Sequence, residues 1–524
     1  MTSTPGFRNK QQRAQSRNTD SKLLQPPQRK FVSNFDHLSA ISAETVGVRI
    51  FNRLLTVFLI LFVLSVPHSI AAAQISLGLG LLTWIGRDVA ARRFHFARTP
   101  MDVPLLCFAG LTILSSFLSV EPEISLPKLK ALVLFGVVYL PATNLSVRGA
   151  KLLTGLLIVS SLFGVGFSLM EKLYGRGMVI TAIEESSPLR QSNLLPGDVI
   201  WMIARQRVFS PEDAAAIIRR HQHSETLDVE ALHAGDPVPV TLTVTDELKS
   251  RPNPLGISVN GRSRQFRVSG FSRQFLTYAE QMQILALLAY GGILVAVRRW
   301  GKFGAARTGG WLLVSASLFA LFATGLVMTA SRAVIAACLC ALLITSLSAG
   351  RRALMIAIIV TLTLGGLGAY VITSVRQQIT ASFNDDSAAR RIGYMQAGLK
   401  VIPRHPLLGV GMDSHKRHWR EWGFPGDYIT HTHSTPIQIA MERGLLALAC
   451  YLWLIAATLA LARRNYRQAR TNGETFSESL MLGGFGAVIG FSASSLANYN
   501  FGDSEALMLL LCVIGLMAVR SDAT

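Results

Sequence analysis

The chain has 524 residues, half of them hydrophobic and only 16% charged, and its Lys and Arg outnumber Asp and Glu by 51 to 31. So apolar a composition, with a mean hydropathy of +0.38, excludes a soluble enzyme of this length. The formal charge of +20 does not mark a nucleic-acid binder, because the basic residues punctuate apolar runs and do not gather into one groove.

Residues 1–47 are rich in Ser, Gln, Asn, Arg and Pro and contain no apolar run. They read as a disordered basic tail lying against anionic lipid. They do not read as a cleavable signal peptide, since the first apolar run begins too far into the chain. About twelve runs then approach the ~20 residues needed to cross roughly 30 Å of hydrocarbon. Their cores are 54–66, 70–85, 103–120, 132–145 and 152–170 within 48–173, then 284–297, 311–329, 333–348 and 354–373 within 259–374, then 437–461, 480–496 and 506–519 within 437–524. Cys107, Cys338, Cys340, Cys450 and Cys512 all fall inside these runs and read as small packing residues, with no disulfide implied.

Alternate connections are basic: the tail, Arg87 to Arg98, Arg148 with Lys151, Arg298 to Arg307, Arg351 with Arg352, and Arg463 to Arg470. The others, such as EPEISLP and NYNFGDSE, are acidic or neutral. Retention of Lys and Arg on the cytoplasmic side then places both termini in the cytoplasm, and puts 174–258 and 375–436 on the opposite side.

Residues 174–258 change composition. Alternating runs at Val179 to Ile183, Val199 to Ile203, Leu227 to Ala231 and Val238 to Val244 predict short strands, and Ser210 to Arg220 predicts a capped helix. Ser187-Pro188-Leu189, Leu194 to Ile200 and the helix after Phe209 resemble a bacterial PDZ domain. That resemblance implies capture of an extended peptide or protein C-terminus by strand addition, with 175–177 or 255–257 as the carboxylate loop; a folded spacer is the alternative. The expected fold is an α-helical polytopic membrane protein of about 12 transmembrane helices with an inserted small α+β PDZ-like periplasmic domain.

Three arginines beyond that domain fall on the same face as it does. Arg267 leads into the sixth run, with Arg264 and Arg273 as neighbours. Arg332 follows Ser331 in a tight turn, where charge bias and desolvation both oppose it. Arg391, or Arg390 beside it, precedes a stretch in which Phe383, Ile392, Met395, Leu399 and Ile402 recur at helical spacing, as in a helix lying in the interface. A guanidinium here offers a planar fork of donors to a phosphate or carboxylate, or snorkels to lipid headgroups. His405, His415, His418, His431 and His433 crowd the same segment without an H-x-x-x-H or H-E-x-x-H frame. A neutral imidazole suits removal of a proton from a hydroxyl better than it suits a metal in that arrangement.

The segment HTHSTPIQIAMERGLLAL, residues 431–448, places His433, Ile437, Glu442 and Gly444 ahead of an apolar run. With the HPLLGVG run and the arginines, it resembles the signature of the O-antigen ligase and polymerase family, His-Asn-x-x-Leu-x-x-x-x-Glu-x-Gly, with Ser434 in place of the usual Asn. The resemblance implies a bacterial inner-membrane glycosyltransferase that uses no metal or other cofactor. Its donor would be an undecaprenyl-diphosphate-linked glycan, and its acceptor a hydroxyl on lipid A core, a growing glycan or a protein. It further implies catalytic roles for His433, Arg332, Arg267 and Arg391, and substrate contacts for His431, Ser331, Arg390 and Ser434. The rival classes are a polysaccharide transporter or flippase, whose charges should line the spans, and a non-enzymatic PDZ-bearing scaffold. No H-E-x-x-H or G-x-S-x-G motif supports a protease.

Overall fold

A computed structural model describes Ser39 and residues 45–192, 194–233, 236–264, 266–272, 274–300, 305–379, 386–426 and 429–519. The expected disordered tail, apart from Ser39 and the residues from 45 onward, lies outside the described residues.

Each apolar run forms a helix. The first group is α1 (Val46–Ser65), α2 (Ile70–Ala91), α3 (Asp102–Phe117), α4 (Pro122–Asn144) and α5 (Val147–Tyr174). Thr45 and Ser69 cap α1 and α2 by accepting from Val48 N and Ala72 N, the role short hydroxyl side chains fill at helix starts. The middle of α4, Leu126–Phe135, is wound as a tight 3-10 helix, an unusually long stretch for that geometry.

A small α+β domain follows: β1 (Met178–Ile183), β2 (Val199–Ile203), β3 (Gln206–Arg207), α6 (Pro211–Arg220), β4 (Thr226–His233), β5 (Asp236–Thr243), α7 (Asp246–Ser250) and β6 (Ile257–Val259). The strands form one antiparallel sheet in the order β5-β4-β2-β1-β6, with β3 paired to β2. Ile180, Ile200, Ile218, Val229 and Leu242 build its own core.

The domain does not swing freely. Glu171, in the last turn of α5, accepts from Arg176 at 2.5 Å through one oxygen and from Arg207 at 2.6 Å through the other. The Arg176 guanidinium is sandwiched by the Trp201 and Phe266 rings, at 4.5 and 4.3 Å. Arg176 is thereby spent on docking, along with the 175–177 loop that sequence offered as a carboxylate cap.

The remaining helices are α8 (Phe275–Arg299), α9 (Ala305–Met328), α10 (Arg332–Ala349), α11 (Arg351–Ile379), α12 (Asp386–Val401), α13 (Thr435–Thr471), α14 (Thr475–Ser494) and α15 (Ser504–Met517). The centre of the bundle is α8, 94% of whose apolar window is buried. It lies directly on α14, where a Cβ on Gly291 would overlap Gly483 N and one on Gly483 would overlap Leu288 Cα. Small residues permit such close backbone approach, the usual means of helix association in lipid. At the far end of this pair Arg298 and Arg299 both bind Glu478, and Arg299 also donates to Gly473 O and Thr475 Oγ1.

Ten helices are long and apolar enough to cross a membrane among the described residues, fewer than the twelve expected. The two that fall short are α3 and α15, of 16 and 14 residues, or about 24 and 21 Å at 1.5 Å per residue. Their ends are held by specific contacts: Val120 N pairs with Val410 O beyond α3, and Asp503 caps the start of α15. Four of the ten long helices, α8 to α11, separate the α+β domain from the segment before α13. If each crosses, both lie on one side of the membrane.

Candidate functional site

The site begins with a broken helix. Gly444 within α13 has φ 84° and ψ 170°, a backbone region open essentially to glycine alone. The break releases main-chain groups of α13, and the run from Pro406 to Gly411 takes them up: Leu445 N donates to Pro406 O, Val410 N to Met441 O, and Gly411 N to Glu442 O, all within 2.9 Å. Ser115 Oγ of α3 donates to the same Glu442 carbonyl at 2.8 Å. A Cβ on Gly444 would overlap the Leu407 carbonyl oxygen, and one on Gly411 would overlap Ser119 Oγ. The glycines of the HPLLGVG run and of the α13 signature are thus the two halves of one crossing.

The crossing turns the Glu442 side chain inward, where it is 1% exposed. Its Oε1 accepts from Asp413 N at 2.9 Å and from Gln438 Nε2 at 2.8 Å. Gln438 Oε1 in turn accepts from Thr432 N at 2.8 Å, so the carboxylate and the histidine loop are held by one network.

Beside the crossing opens a cavity of about 630 Å³. One wall is basic, with Lys128 and Lys130 of α4, Lys416 and Arg443. His431, Tyr499 and the carboxylates of Glu280, Asp413, Glu442, Asp503 and Glu505 share the lining. The floor is apolar, including Phe108, Phe135, Phe501 and Leu507.

The histidines separate. His431 lines the cavity and lies 4.3 Å from His433, ring to ring. The backbone N–H of His433 donates to His431 Nδ1 at 3.1 Å. His433, in a left-handed conformation with φ 55°, stacks on Tyr394 of α12 at 5.6 Å and is not on the cavity wall. Burial holds both rings neutral: it lowers His431 to about 3, helped by the charges of His433, His415, Lys416 and Arg391, and lowers His433 to about 4, helped by Arg391. His415 is buried and sets Nε2 3.0 Å from Thr430 O. His418 bridges Glu121 and Glu421, and His405 is exposed.

The expected arginines occupy two places. Arg391, on α12 one turn before Tyr394, is half-buried and acts electrostatically on both rings; Arg390 beside it is exposed. Arg267 and Arg332 mark another corner: Arg267 stacks over Phe275 at 4.6 Å, its neighbour Val268 N donates to Met328 O, and exposed Arg332 starts α10 with buried Ser331 as its N-cap residue. From Arg267 the chain runs on to Gln274, which lines the cavity. Ser434 is buried, and its carbonyl accepts from Thr432 Oγ1 and Gln438 N at the start of α13. Of the eight residues that sequence brought forward, only His431 is on the cavity wall. The helix carrying Ile392 and Leu399 turns that face outward, with both side chains more than half exposed, and buries Tyr394, Ala397 and Val401 instead.

Sequence reasoning missed Lys128, Lys130, Lys416 and Arg443. Lys128 and Lys130 directly follow the acidic EPEISLP connection and sit where the charge bias opposes them, the same signal that drew attention to Arg332. Asp413, His415 and Glu442 place ligand-type atoms within 4.8 Å of one another. Yet Lys128 and Lys416 hold the two Asp413 oxygens at 2.6 and 3.0 Å, so the group already has its cations and reads as an ion-pair network.

Residues 316–452 match the family model described as O-antigen ligase, and no curated protein matches the chain. The matched segment holds Arg332, Arg391, both histidines and the Gly444 crossing. It supports a membrane glycosyltransferase-like role in O-antigen or polysaccharide assembly.

Proposed function

We propose that the protein transfers a glycan from an undecaprenyl-diphosphate-linked donor to an acceptor hydroxyl, at the outer face of a bacterial inner membrane with both termini in the cytoplasm. The observation that carries the reading is the cavity itself, adjoining the crossing formed within the O-antigen ligase match, whose lining combines a histidine, four cations and five carboxylates with apolar side chains. The acceptor oxygen forms a bond to the anomeric carbon, the carbon–oxygen bond to the diphosphate breaks, and the acceptor proton passes to an imidazole. Lys130 and Arg443, with Lys128 and Lys416 sharing their charge between Asp413 and the donor, offset the charge that develops on the leaving diphosphate, and Arg391 adds its field at the histidines. Fixed cations of this number perform that role without a metal or other cofactor.

A neutral imidazole with so low a pKa is a weak base in the empty site. A bound diphosphate facing His431 adds negative charge and raises both values toward the working range. Lipid A core, a growing glycan or a protein all supply a suitable hydroxyl. The transporter reading is disfavoured because the cavity's four cations lie near the ends of α4 and of the upper part of α13 or in the segment before α13, beside the Gly444 crossing. The α+β domain reads as PDZ-like, with an extended peptide added at an edge of its sheet, β5 or β6.

The test is transfer by the purified chain from carrier-linked glycan to a panel of acceptors, with release of undecaprenyl diphosphate as readout. Lys128→Ala with Lys416→Ala should sharply reduce donor use. Undiminished turnover in that double variant overturns the cavity assignment. In a deletion strain, unligated long chains identify a ligase and single repeat units a polymerase.

A further inference from the structure

A second cavity, of about 300 Å³, lies at the opposite end of the bundle from the site. It is bounded by the approach to α3, the start of α5, the turn between α13 and α14, and the end of α15. Its polar rim carries Arg98, Arg464, Gln468 and Asn472, with Glu474 as a single carboxylate. Lys151 adds a further positive charge over the Phe476 ring of the wall, 5.7 Å from its centroid. Val147 and Ala150 bring in the first turn of α5, capped by Ser146, whose helix dipole favours an anion. Below the rim the wall becomes apolar, with Leu461, Leu480 and Leu516.

The level of the rim matches a membrane interface. Phe96, two residues before Arg98, and Trp300, which closes α8 at the same end, are each 53% exposed, as aromatic side chains are where a bilayer meets water. A cationic rim at headgroup depth above an apolar slot accommodates a phosphate with tails attached, and basic pockets between helices at this face bind anionic headgroups.

We propose that this cavity is a binding site for an anionic phospholipid, with the phosphate on Arg98 and Arg464 and an acyl chain along Leu480 and Leu516. The site is separate from the transfer site and does not depend on its assignment.

The test uses the full chain in neutral detergent and follows its apparent unfolding temperature and its retained lipid by native mass spectrometry. The probes are dioleoylphosphatidylglycerol, dioleoylphosphatidylcholine and glycerol 3-phosphate. The phosphatidylglycerol alone should raise the unfolding temperature and be retained. Arg98→Gln with Arg464→Gln should weaken retention by about thirtyfold, the sum of two interfacial cations, whereas Arg463→Gln with Arg467→Gln, outside the cavity, should leave it intact. If the first pair folds poorly, Gln468→Glu, which sets a repelling charge on the rim, should give the same loss. An equal response to phosphatidylcholine, a full response to glycerol 3-phosphate, or undiminished retention in both rim variants overturns the proposal.

Discussion

The main-chain N–H of His433 donates to Nδ1 of His431, so the neutral His431 ring carries its proton on Nε2. Its free edge is therefore a donor. In the proposed mechanism the two imidazoles play different parts: His431, on the cavity wall, donates toward a leaving phosphate oxygen, and His433 takes the acceptor proton.

His433→Ala should lower glycan transfer by about 10² to 10⁴, the usual effect of losing a general base. His431→Gln, whose amide nitrogen can stand in for Nε2–H, should retain more activity than His431→Ala at equal protein levels. If His433→Ala is harmless and glutamine gives no rescue at 431, the division of roles is reversed.

Acid should destabilise the fold through these rings. Their folded pKa values, about 3 and about 4, lie below the ~6.5 of an unfolded histidine. Between roughly pH 6.5 and 4 the unfolded chain binds more protons, so stability is full above that window and falls as pH falls through it. The apparent unfolding temperature should drop from pH 7 to 5, and drop less in the His431→Gln, His433→Gln double variant. Equal slopes would assign the acid sensitivity to other groups.

Gly444→Ala should cost about 1 to 3 kcal/mol from backbone strain alone, and more from overlap with Leu407 O. Gly155→Ala, on α5 with open space around it, serves as the neutral control. Thermal unfolding in detergent reads both; similar midpoints would show that the helix is not obliged to break there.

Glu171→Ala leaves Arg176 buried without its carboxylate, a change that costs about 3 to 5 kcal/mol for a fully buried pair and less here because Arg207 is a third exposed. The expected result is faster hydrogen exchange and proteolysis around 175–177 and 260–264, with protection of the β-sheet core retained. Unchanged protection at those junctions would mean that the aromatic sandwich alone docks the domain.

What sequence could show followed from local periodicity. The strands at 178–183 and 199–203 were legible from alternation, Ser210 from its capping pattern, and the apolar helices from hydropathy. The shortness of α3 and α15 was not, because Val120 is stopped by Val410, far along the chain. The site was half legible. Sequence placed His431, His433 and Arg391 in one segment, and the structure sets the two rings side by side within reach of the Arg391 charge, while Lys128 and Arg443 reach the His431 cavity only through the fold of α4 and α13. Pairing of Val410 with Met441 and of Gly411 with Glu442 leaves no periodic trace, since the partners are main-chain groups and any side chain beside them would serve.

The break at Gly444 also divides labour along α13. The turns from Thr435 to Arg443 are too short to span lipid and are tied to the chain outside it, so the stretch that bears membrane load starts at Leu445. Because the helical hydrogen bonding is broken at Gly444, a change of tilt in the segment below it need not be passed rigidly to Glu442, Arg443 and the histidine loop.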